Sequence, residues 1–95
     1  MPLPPLPPHD ISSVGERPHW TVANGQATFA PVPDGWRAVV SALRHPTSQA
    51  RYHVAVVDRT GAPRFASETA NLRDAVRSAE RGVLARNALR LARRV

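Results

Sequence analysis

The stretch WRAVVSALRHPTSQARYHVAVV, residues 36–57, decides the fold. Trp36, Ala38, Val40 and Ala42 fall on one side at a period of two, the spacing of a strand with one buried face. Tyr52, Val54 and Val56 repeat that pattern, with Arg51, His53, Ala55 and Val57 on the other side. A polar loop around His45-Pro46 separates the two runs. They read as antiparallel neighbours.

Working outward, Asp58-Arg59-Thr60-Gly61 supplies an aspartate to start a turn and a glycine for a left-handed position, which suits a hairpin loop with a bulge. Residues 63–66 then form a short edge strand, where Pro63 is tolerated. On the other side, Pro31-Val32-Pro33-Asp34-Gly35 breaks the chain. Before it, Trp20, Val22, Ala27 and Phe29 flank Asn24-Gly25, a strong short-range hairpin signal because both central positions need positive φ. Residues 1–18 read as a Pro-rich flexible tail, with five prolines in the first eight positions. Such a run favours polyproline II and is compatible with a ligand for an aromatic-lined groove.

A helix follows the strands. Ser67 is the expected N-cap, with Glu68 and Asp74 early, where the helix dipole favours negative charge. Leu72, Ala75, Val76, Ala79 and Val83 share one face at helical spacing. After Gly82 the apolar residues are Leu84, Ala88, Leu91, Ala92 and Val95, which rotate to the opposite side. Two readings stand. Either the chain breaks at Gly82 into a second short helix, or one helix continues and turns its second stripe toward another protomer. The expectation is an α+β domain over residues 19–95: an antiparallel sheet of three to five short strands packed on a C-terminal helix. Most of the five large aromatics belong in its core, since a small domain needs their area.

Composition sets the outer bounds. Ninety-five residues make one small domain. There is no cysteine, which excludes disulfides and thiolate chemistry. No apolar run approaches the roughly 18 residues of a spanning helix. The opening Met1-Pro2-Leu3-Pro4-Pro5 has neither a basic nor an apolar leader region, so a cytoplasmic location is expected. His9, His19, His45 and His53 lack ligand spacing, so no metal is expected. No nucleophile–base set or phosphate loop assembles, so the protein is expected to be no enzyme, with no cofactor and no small-molecule substrate.

The charge is uneven. The chain carries 13 arginines and no lysine, with a formal net charge of +6. Residues 1–66 contribute +2, residues 67–81 nothing, and residues 82–95 +4, from Arg86, Arg90, Arg93 and Arg94 without an acid among them. On a helix these four lie on one side, opposite Leu84, Ala88 and Leu91. A phosphate backbone is the first-choice partner for such a face, because each neutralised phosphate releases counterion. Arg37, Arg51 and Arg64 are candidates to support it from the sheet. An acidic protein is the other candidate partner. A membrane surface is not expected, since the apolar side lacks aromatics.

Strand, strand, short strand and helix over residues 36–82 resemble the three-stranded DNA-binding modules of integrases and of plant APETALA-type domains. They also resemble antitoxin domains of the HicB kind, to which Phe65-Ala66-Ser67-Glu68-Thr69-Ala70-Asn71-Leu72 is similar as a strand leading into a helix. The likeness is one of topology over about half the chain and shares no diagnostic motif. The leading expectation is a small non-enzymatic nucleic-acid-binding protein. The alternative is a protein-binding accessory factor, an anti-defence inhibitor or antitoxin-like adaptor of the compact kind that phages and mobile elements encode. It would dimerise or dock through Leu84, Leu91 and Val95.

Overall fold

A computed structural model describes residues 11–92, with side chains described for residues 11–88. The elements in order are a 3-10 helix, Ile11–Glu16, then β1 (Trp20–Ala23), β2 (Gln26–Phe29), β3 (Arg37–Ala42), β4 (Tyr52–Val57), β5 (Pro63–Thr69) and α1 (Leu72–Ala92). The five strands form one antiparallel sheet in sequence order, so every connection is between neighbours. One face of this sheet is packed on α1. This is the expected α+β arrangement.

Turn chemistry fixes the register at both ends of the meander. Asn24 (φ 54°) and Gly25 (φ 76°) close the β1–β2 hairpin, which pairs Ala23 with Gln26 and Trp20 with Phe29. Between β4 and β5, Asp58 Oδ1 accepts from the N–H groups of Thr60 (2.9 Å) and Ala62 (3.1 Å), and Gly61 takes φ 90°. The expected bulge appears as a register shift between Val56 and Val57.

Alternation then places the core. Ala27 and Phe29 of β2, Ala38 and Val40 of β3, and Tyr52, Val54 and Val56 of β4 all point to the helix side and are buried, as is Trp20 of β1. They meet Leu72, Ala75, Val76, Ala79 and Val83 of α1. Full burial of a side chain of this size contributes roughly 1.5–3 kcal/mol, so this one interface dominates the fold's stability.

The structure decides four points. First, of the two readings at Gly82, the unbroken helix is the one that forms. A Cβ there would lie 3.2 Å from Val56 Cγ2, so the glycine serves close approach of helix to sheet. Second, α1 begins at Leu72. Ser67 and Glu68 lie in β5, which runs to Thr69, and the cap is Asn71. Its Oδ1 accepts from Asp74 N–H at 2.9 Å and its Nδ2 donates to Asp74 Oδ2 at 3.1 Å. Third, most of the large aromatics are in the core as expected, Trp20, Phe29 and Tyr52 buried and Trp36 packed against them, while Phe65 is 48% exposed. Fourth, residues 11–18 are more than tail. Ile11 and Val14 are buried in the core, and the Arg17 and Trp20 side chains both hold Glu80 of α1.

Candidate nucleic-acid interface

The sheet cations do not converge. Register and alternation put Arg37 on the face away from α1, at the start of β3 opposite Val57. Arg51 lies just before β4, at the far end of the same face, and is half-buried. Arg64 sits on the edge strand, with Nη1 3.9 Å from Asp58 Oδ2. His53, between them, stands opposite Ser41 on one side and Glu68 on the other. Thr28, Val39 and Ala55 form the middle row of this open face. Arg37, Arg51 and His53 thus share the face away from α1, but Val39, Ala55 and Glu68 stand among them, so the surface is mixed.

On α1, Arg86 packs across two rings. Its guanidinium carbon is 4.5 Å from the Phe65 centroid and 5.8 Å from that of Trp36. The rings themselves stack at 6.5 Å and 28°. Arg86 therefore ties the helix to β5 through cation–π contact. Leu84 is 52% exposed. The side chains of Arg90, Leu91, Arg93, Arg94 and Val95 lie outside the described residues.

The cationic face that does form is one that segment-wise charge counting cancels. Arg73, Arg77 and Arg81 recur every four residues along α1, about 6 Å apart along its axis, and all three are exposed. Of the acids that offset them in sequence, Glu80 is paired with Arg17 and Glu68 lies in β5, while Asp74 keeps its charge beside Arg77 and Arg81. Asp74 completes the cap with Asn71. Glu80 accepts from Arg17 Nη2 at 3.2 Å and from Trp20 Nε1–H at 3.1 Å, on the flank facing the 3-10 helix. Glu68 belongs to β5, across the sheet. Seven of the thirteen arginines lie from residue 72 onward, with only Asp74 and Glu80 as acids in that span. Finding this face from sequence requires the cap to be placed at Asn71 and the long-range partners of Glu80 to be known.

Beside this row runs a groove between β5 and α1, holding about 640 Å³. Val54, Val56 and Gly82 form its floor, Phe65 and Arg86 one wall, and Asp74, Arg77 and Arg81 its helix-side rim, two cations to one acid. An apolar floor thus lies directly beneath exposed guanidinium groups.

Among the described residues no three His, Asp or Glu side chains come together as a metal site. No helix among them is long and apolar enough to cross a membrane. No family model, no curated protein and no solved structure matches this chain.

Proposed function

We propose that the protein is a non-enzymatic nucleic-acid-binding protein that contacts phosphates through the exposed arginines of α1. The observation that carries this reading is the row Arg73, Arg77 and Arg81, three exposed arginines one turn apart, beside which Glu80 is neutralised by Arg17 and Asp74 is the remaining acid. Arginine presents a planar fork of donors matched to phosphate, and a helix holds such forks one per turn. Arg90, Arg93 and Arg94 extend the positive charge toward the C-terminus. Arg86, held over two rings, positions the groove wall.

The test is fluorescence anisotropy with labelled DNA and RNA across a salt series. Affinity should fall log-linearly with salt. Replacing Arg73, Arg77 and Arg81 by Gln should weaken binding to all sequences alike and reduce the salt slope by about 1 for each phosphate no longer neutralised. Replacing Arg90, Arg93 and Arg94 by Gln measures the C-terminal contribution. Substitution is preferable to truncation at Arg81, which would remove the core residue Val83 and the buried Asn87. Absence of binding at low salt would overturn the reading.

Leu84 favours a second reading, a protein partner or homodimer. A large apolar side chain 52% exposed on α1 begins the stripe that Leu91 and Val95 continue in sequence. Sedimentation of the wild type and Leu84→Lys separates the two. A dimer dissociated by the substitution supports the protein interface.

A further inference from the structure

The groove beside the arginine row has features that phosphate binding alone does not use. Phosphates need cations, yet Arg77 and Arg81 rim an apolar floor of Val54 and Val56 with an aromatic wall, Phe65. Phe65 is a large apolar side chain left 48% exposed on an edge strand, even with Trp36 stacked beside it and Arg86 over it. This edge strand carries Pro63, Arg64 and Glu68, which blunt it in the usual way, and in addition presents a ring toward the helix.

We infer that the groove between β5 and α1 seats an unpaired base against Phe65 while Arg77 and Arg81 hold the adjoining phosphates, making the protein a binder of single-stranded nucleic acid. This rests on the phosphate-binding reading above and adds the strandedness of the ligand. Three observations converge on it. The ligand must be anionic where it meets Arg77 and Arg81. It must be apolar and flat a few ångströms away, where Val54, Val56 and Phe65 lie. It must present its charge at regular intervals, since the cations recur along the helix. A nucleotide strand with its bases turned out meets all three, and aromatic stacking of such bases is tolerant of sequence. A duplex lacks the second, because its bases are paired and stacked inward. Arg86 now covers one face of Phe65 at 4.5 Å, so a base seats there as the guanidinium swings aside toward the adjoining phosphate.

The experiment compares a single-stranded oligonucleotide of about 12 nucleotides with the duplex of the same sequence, on the full chain. Wild type should favour the single strand by about tenfold. Phe65→Ala and Phe65→Leu should both lower single-strand affinity toward that for duplex, leaving duplex binding and the salt slope unchanged. Phe65→Tyr, which keeps the ring, should retain the preference. Thermal melts of each variant confirm folding, and a half-exposed edge position is expected to tolerate all three. Equal affinity for both forms, or a preference that survives Phe65→Leu, would overturn the base-seating inference while leaving phosphate binding intact. No binding of either form at low salt would overturn both. An acidic peptide that displaces the oligonucleotide and binds more tightly than it would also overturn the base-seating inference.

Discussion

Asn87 shows how one polar side chain can fix the end of a helix against a loop. It is 8% exposed, and its Oδ1 accepts from the Trp36 N–H at 2.9 Å. Gly35 makes the approach possible, since a Cβ there would lie 2.7 Å from that same oxygen. Asn87→Ala should therefore destabilise by about 1–3 kcal/mol, the range for stranding a buried donor. Gly35→Ala should cost a similar amount by disturbing the same bond. Chemical denaturation of both single variants and the double variant checks this. The double variant should lose less than the two single losses combined, because each breaks the same bond. Asp58 carries a pH dependence. Hydrogen bonding to the Thr60 side chain is the largest influence holding its carboxyl below the ordinary value of 3.8, with the Thr60 and Ala62 N–H groups and Arg64 adding to it. A depressed folded-state pKa contributes stability above the unfolded value and loses it as pH falls through the folded one. The β4–β5 hairpin should therefore loosen below about pH 4, and Asp58→Asn should remove that part of the acid dependence. Amide exchange at Thr60 and Ala62 reads it directly.

At the scale of elements, α1 owes its start to Asn71 and its seat to small residues. The reciprocal pair with Asp74 satisfies a first-turn N–H, so Asn71→Ala should cost about 1 kcal/mol in a thermal melt, with Asn71→Ser close to wild type. Ala75, Ala79 and Gly82 keep the helix surface low where it meets β3 and β4. Glycine inside a helix costs roughly 0.5–1 kcal/mol relative to alanine, and close contact with Val56 is what offsets it. The start of the helix is the element boundary that the sequence misplaces. Ser67 and Asn71 are both good caps, and Ser67-Glu68 precede the same apolar stripe. What decides between them is β4, whose long pairing partner draws residues 63–69 into the sheet and leaves Asn71 as the first residue able to cap. The strand pairs and both hairpins are legible because alternation and turn residues are local signals, whereas the extent of β5 is a property of its neighbour.

For the whole molecule, charge placement matters more than charge count. The sequence shows +6 and locates much of it at the C-terminus, but it also makes residues 67–81 neutral. The fold undoes part of that neutrality by sending Glu80 to Trp20 and Arg17 and Glu68 into the sheet, while Asp74 keeps its charge at the cap with Asn71. Because Arg73, Arg77 and Arg81 are exposed, their replacement by Gln should leave stability within about 0.5 kcal/mol of wild type while weakening nucleic-acid binding. Parallel measurement of the melt and of anisotropy separates a surface effect from misfolding. The reverse holds at Glu80, where Glu80→Ala leaves the Trp20 and Arg17 donors without their acceptor and should lower the melt.

The sequence by itself determined the class of fold, an antiparallel sheet on a C-terminal helix, the Asn24-Gly25 and Asp58 turns, and the apolar stripe of α1. These follow from periodicity and from backbone conformations that few residues adopt, and both are written locally. The tertiary structure alone decided that Ile11 and Val14 complete the core, that α1 continues unbroken past Gly82, and that Phe65 is left exposed. It also decided which arginines stand exposed. Each of these depends on partners many residues away, on what the helix covers and what it leaves open, and no local pattern carries that information.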